Sequence, residues 1–175
     1  MLAALMLRRP SALLAPLLAL AAASCHNDST GQSPVMITFN PTIYLGDWTG
    51  TWTNLNTSGT GALTVTVEQE EMTLNIEFDM DGQVFESMDP DPESYEAAIG
   101  ASEARMASFK SDVFGALSAT IDGLGILTIS GTGVPGTTDR FDITGTIAGT
   151  KMTFVATITS QNGSITTGYA TLDKM

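Results

Sequence analysis

One histidine, His26, and one cysteine, Cys25, make up the chain's supply of the side chains that most often act as base, thiol nucleophile or zinc ligand. A hydroxyl or thiol nucleophile needs a base beside it to lose its proton. His26 stands in a polar run, His26-Asn-Asp-Ser-Thr-Gly-Gln-Ser-Pro34, with only Cys25 and Asp28 as other ligand types close by. Zinc, which takes several nitrogen or sulfur ligands, finds no set of them here. A glycine loop leading into a helix, as phosphate binding requires, is also missing.

Carboxylates are the remaining reactive groups, with 19 Asp and Glu against 7 Lys and Arg. Two of them could act on a glycoside, but no spacing marks one pair above the others. Glu77-x-Asp79-x-Asp81-Gly82 echoes the first half of a calcium loop, with oxygens at alternate positions and glycine at the bend. The position that should bring a bidentate carboxylate falls on Met88, which has none. Glu86, Asp89, Asp91 and Glu93 then read as a solvated acidic loop. The chain is therefore read as a non-enzyme without cofactor or metal.

The acidic balance also limits partners. Arg8 and Arg9 lie near the amino terminus, which leaves five basic residues against 19 acidic ones in the rest of the chain. Such a surface repels phosphate backbones, so nucleic acid is excluded as a partner. Any protein partner is left unspecified.

Residues 1–24 combine Arg8-Arg9, the apolar stretch Ser11-Ala-Leu-Leu-Ala-Pro-Leu-Leu-Ala-Leu20 and the small-residue run Ala21-Ala-Ala-Ser24. The apolar part is short for a membrane span and has the layout of a signal peptide. Met6-Leu-Arg-Arg offers a second start for the same leader. Ala22-Ala-Ser-Cys25 resembles the lipobox of bacterial lipoproteins, with Ala22 where that family usually has Leu. The resemblance implies that the Cys25 sulfur takes a diacylglycerol, with further acylation of the new amino terminus, and that the leader is cut just before it. The membrane is then a partner through the lipid anchor. His26 follows the cysteine where an Asp would retain a lipoprotein in the inner membrane, so the resemblance implies the outer membrane. Residues 25–45 are read as lipidated cysteine and flexible tether.

From Gly46 to residue 175 the pattern is alternating apolar and polar, as in strands with one buried face. Leu63, Val65 and Val67 share one face; so do Met72, Leu74, Ile76, Phe78 and Met80. Leu117 to Ile121, Phe141 to Ile147, Met152 to Ile158, and Ile165 with Tyr169 repeat the scheme. Asp81-Gly82, Asp122-Gly123 and Asn162-Gly163 suit tight hairpin turns. The fold class is all-β: an antiparallel up-and-down barrel of about eight or nine strands, with a β-sandwich as the alternative. One helix is expected around 92–109, capped by Asp91-Pro92-Glu93, with Tyr95, Ile99, Met106 and Phe109 on one face.

The domain opens on Gly46-Asp-Trp48-Thr-Gly50-Thr-Trp52-Thr-Asn54, which sets both tryptophans and Asn54 on one strand face. This resembles the Gly-x-Trp signature of the lipocalin and avidin group of calycin-type barrels. The resemblance implies a basic side chain over the tryptophan, for which Lys174 is the candidate, and a small apolar ligand inside. Asn54 and Ser58 stand where avidins hydrogen-bond biotin, although the further tryptophans that wall biotin are missing. The candidate ligand-binding residues are Trp48, Trp52, Asn54, Ser58, Tyr95, Ile99 and Met106. The competing reading is a filled barrel serving as an envelope structural or interaction domain.

Overall fold

The computed structural model describes residues 37–85 and 87–175. The leader, Cys25 and His26 lie outside the described residues. Strands β1 (Gly46–Asn54), β2 (Thr60–Glu70) and β3 (Thr73–Met80) are followed by the short strands β4 (Gln83–Val84) and β5 (Ser87–Met88). Then come β6 (Glu93–Ile99), β7 (Glu103–Ser111), β8 (Gly115–Asp122) and β9 (Ile126–Thr132). The chain ends with β10 (Thr138–Ala148), β11 (Lys151–Ser160) and β12 (Ile165–Lys174).

The strands other than β4 and β5 form a closed barrel in which each lies beside its neighbours in sequence. The last strand returns to the first, with Trp48 opposite Lys174 and Asn54 opposite Gly168. Closure leaves no free edge, which disposes of the aggregation hazard of an open meander. β4 and β5 form a separate hairpin inserted between β3 and β6. This is the up-and-down barrel expected, with ten strands in the wall.

The helix expected around 92–109 is not there; β6 and β7 occupy that stretch, joined at Gly100. Tyr95, Ala97 and Ile99 turn inward from β6, and Ala104 and Met106 do so from β7. Alanine carries little hydrophobic contrast, so the period of two was faint and the helical spacing of the larger residues was coincidental. A register shift between Met106 and Phe109 also breaks the alternation, setting Phe109 opposite Leu117 and leaving it partly exposed. Among the described residues the helical element is a single 3-10 turn, Pro41–Ile43, capped by Asn40.

Two face assignments also differ. Met72 is exposed at the β2–β3 turn, and β12 buries Gly168, Ala170 and Leu172 while Ile165 and Tyr169 face out. Pairing sets this register: Ala170 lies opposite Trp52 and Leu172 opposite Gly50, so a small side chain sits beside the indole. Residues 37–45, read as part of the tether, pack on the barrel instead, with Phe39 and Tyr44 in its core.

The ladders are unequal. β3 and β6 pair from Thr73–Ala98 to Phe78–Glu93. Between β6 and β7 the ladder consists of Ala98–Arg105 and Ile99–Ala104 alone, and the rest of that seam is bridged by side chains.

Candidate functional site

One end of the barrel is plugged by residues 37–45. The Phe39 N–H donates to the Ala101 carbonyl (3.0 Å), and the Tyr44 hydroxyl donates to the Asp122 carbonyl (3.0 Å). The two rings stack at 5.3 Å. Trp48 lies under this plug, fully buried, with its indole N–H donating to the Tyr44 carbonyl at 2.9 Å. Lys174 covers the outer side: Nζ sits 5.2 Å from the Trp48 ring centre and donates to the Ile43 carbonyl at 3.3 Å. Every polar atom that the plug brings inward thus meets a partner, as burial demands. Burial, with Asp122 beside it, pushes the Tyr44 hydroxyl above the usual tyrosine range.

Above the plug the barrel encloses a cavity of about 480 Å³. Its wall is made by the inward rows of all the long strands, for example Leu63, Ile76, Met106, Ile129, Phe154 and Ile158. Two rings are accommodated by glycines across the ladder. A Cβ on Gly131 would come within 2.2 Å of the Phe141 ring, and one on Gly145 within 2.2 Å of Phe154. The rings therefore lie flat on the wall, where glycine leaves room for them.

The other end, where β1 finishes, has a polar rim that includes Asn54, Thr57, Gln83, Thr137, Ser160 and Thr166. Trp52 lies half-buried across this rim and donates from its indole N–H to the Asp81 carbonyl (2.8 Å). Gly61 makes that possible, since a Cβ there would stand 2.6 Å from the indole nitrogen. Phe85, at the turn of the β4–β5 hairpin, reaches in beside Phe141 (5.5 Å between ring centres) and Phe114 (6.0 Å). Its φ of 54° is in the left-handed region, a conformation unfavourable for a bulky side chain.

A polar cluster sits in the barrel wall at the β6–β7 seam. The Tyr95 hydroxyl donates to Glu93 Oε2 in a short hydrogen bond, and Ser111 Oγ donates to Glu93 Oε1 at 2.7 Å. The Ser111 oxygen in turn accepts from the Val113 and Phe114 N–H groups (3.0 and 2.8 Å). The serine proton is committed to a carboxylate and the oxygen to the backbone, an arrangement that fixes a loop rather than activates a nucleophile. Burial, followed by the bond to Glu93, pushes the Tyr95 hydroxyl far above its ordinary range.

Of the candidate residues, Trp52, Asn54, Tyr95 and Met106 are brought together on the cavity. Trp48 belongs to the plug instead, and Ile99 packs against the core partly buried. Ser58 is exposed on the β1–β2 turn at φ 58°. Asn54 spends its side-chain oxygen on that turn, accepting from the N–H groups of Asn56 (2.9 Å) and Thr57 (3.1 Å). Biotin-like recognition by Asn54 and Ser58 together is therefore not supported by their placement. Phe85 and Phe114 were not foreseen, because both sit in connections with no strand pattern around them. Among the described residues no group of three or more His, Cys, Asp or Glu converges on a metal-sized site.

No protein-family model matches the chain, and no curated protein is similar to it in sequence. Two solved structures are similar in fold. Rv2717c from M. tuberculosis is 9% identical over 78% of this chain and 99% of its own, with a TM-score of 0.55. A DUF3598-family protein of unknown function from Nostoc punctiforme is 10% identical over 79% of this chain, with a TM-score of 0.56. This chain spans 50% of the Nostoc protein. At such identities the likeness is one of fold alone.

Proposed function

We propose that the protein is a lipid-anchored carrier of the outer membrane, holding a small apolar molecule inside its barrel. The observation that carries this reading is the cavity. At about 480 Å³ it is within the range of roughly 300–1,000 Å³ typical of small-molecule sites. A barrel built only for structure or for protein contact fills its interior, because empty apolar space forfeits packing energy. Anchoring through Cys25 rests on the lipobox resemblance, and a carrier is favoured over an enzyme because the Ser111 hydroxyl held against Glu93 is committed to fixing a loop.

The test is titration with a neutral fluorescent lipophile, N-phenyl-1-naphthylamine. Saturable one-to-one binding is expected, and Ala156→Phe, which adds a ring from the cavity wall, should abolish it while the melting temperature holds or rises. Absence of saturable binding to the folded wild type overturns the carrier reading and favours the filled-barrel alternative.

A further inference from the structure

The polar end of the ligand is constrained by the charges around the barrel's rim. Among the described residues, none of the side chains lining the cavity is Lys, Arg or His. The connections at the rim end are residues 55–59, 81–92, 112–114, 133–137 and 161–164, and they contain no Lys or Arg. They do contain Asp81, Asp89, Asp91 and Asp112, all exposed. Asp89 is tied to the rim itself, its carboxylate accepting from the Gly82 N–H at 2.6 Å beside Gln83. Lys110 and Arg140 stand on outward faces of β7 and β10, and Arg140 is already paired with Asp142 at 2.8 Å.

An apolar chain seated in the cavity would leave its polar end at this rim. A carboxylate there would meet no cation and a field set by aspartates, whereas an ammonium or hydroxyl would not be opposed. Resting on the carrier reading, we infer that the ligand is a lipophile with an uncharged or cationic polar end, and that free fatty acids are selected against.

The experiment is displacement of N-phenyl-1-naphthylamine from the purified protein at pH 7 by decanol, decyltrimethylammonium and decanoate below their micellar concentrations. The two ions share chain length and both carry a hydrated charge, so their difference reads the sign preference. Decyltrimethylammonium should compete at least tenfold better than decanoate, and decanol should also outcompete decanoate. Gln83→Lys, an exposed rim change, should narrow the gap between the ions by threefold or more, and so should raised salt. Decanoate that competes as well as the ammonium, or a gap insensitive to both Gln83→Lys and salt, overturns the inference and leaves the carrier reading standing. A probe that never binds the folded protein overturns both.

Discussion

The Tyr95 and Phe109 rings meet edge to face, with centres 5.0 Å apart and planes at 89°, across the seam where the β6–β7 ladder has stopped. Edge-to-face pairs of this kind contribute about 0.5–1.5 kcal/mol beyond the area they bury. With the Glu93–Ser111 bond they hold together a stretch of wall that elsewhere is held by backbone hydrogen bonds.

Phe109→Ala should therefore cost about 1 kcal/mol in denaturant unfolding. It should also speed amide exchange in Glu93–Ala97 and Ser108–Ser111 more than in β10 and β11, whose ladder runs from Thr138 to Ala148. Side-chain bridges open locally at lower cost than ladders. Uniform exchange across β6, β7, β10 and β11 would show that the seam is no weaker than the rest.

Tyr95 gives the fold an alkaline limit. Its hydroxyl is raised in the folded state by burial and by Glu93, relative to 10.0 for an ordinary tyrosine. Between the unfolded and folded values the native state binds the extra proton, so stability is full below about pH 10 and falls as pH rises above it. Tyr95→Phe should be less stable at neutral pH by about 1–3 kcal/mol, since it leaves one Glu93 oxygen without its donor. Its stability should fall less steeply than the wild type's above pH 10. Parallel alkaline profiles would remove Tyr95 from the account.

The barrel was legible in the sequence wherever large apolar residues alternate with polar ones, as in Leu63-Val65-Val67 or Leu74-Ile76-Phe78. It was illegible where the inward residues are small. Ala97 and Ala104 on β6 and β7, and Gly168 and Ala170 on β12, face the interior with no hydrophobic contrast to announce it. The plug was hidden for another reason: Phe39 and Tyr44 are spaced by no strand or helix period, and their burial depends on tertiary partners at Ala101 and Asp122. Trp52, Asn54, Tyr95 and Met106 were identifiable for the cavity, although Tyr95 and Met106 reach it from strands.

Glycines in the wall give a steric prediction. A Cβ on Gly50 would stand 1.9 Å from the Thr171 carbonyl oxygen and 2.7 Å from the Leu172 Cα, both backbone atoms that cannot turn aside. Gly50→Ala should break the β1–β12 closure and cost about 3 kcal/mol or more. At Gly131 the obstacle is the Phe141 ring, so Gly131→Ala should cost about 1–3 kcal/mol and shift that ring into the cavity. Equal tolerance of both changes in thermal melts would contradict the packing.

Cys25→Ser tests the anchor. A serine hydroxyl is a far poorer nucleophile than a thiolate, so lipid transfer should fail and an uncut or soluble form should accumulate. The wild type should incorporate labelled fatty acid and fractionate with membranes. A serine variant that still carries label and sediments with membranes would end the lipoprotein reading.

The two tryptophans should behave as different reporters, although they share one face of β1. Trp48 is fully buried in the plug, while Trp52 lies half-buried at the cavity rim. Trp48→Ala should cost about 3–5 kcal/mol, as for other large core aromatics, and it also strands the Tyr44 carbonyl. Trp52→Ala should cost less, because its ring already faces partly into open space. In Trp52→Phe the remaining indole, Trp48, should emit at short wavelength and keep its peak position when N-phenyl-1-naphthylamine is added, with energy transfer lowering only its intensity. In Trp48→Phe the remaining indole, Trp52, should emit further to the red and shift on binding, because the ligand replaces water beside it. A shift confined to Trp48 would place the probe at the plugged end, and the polar rim would lose its role as the entrance.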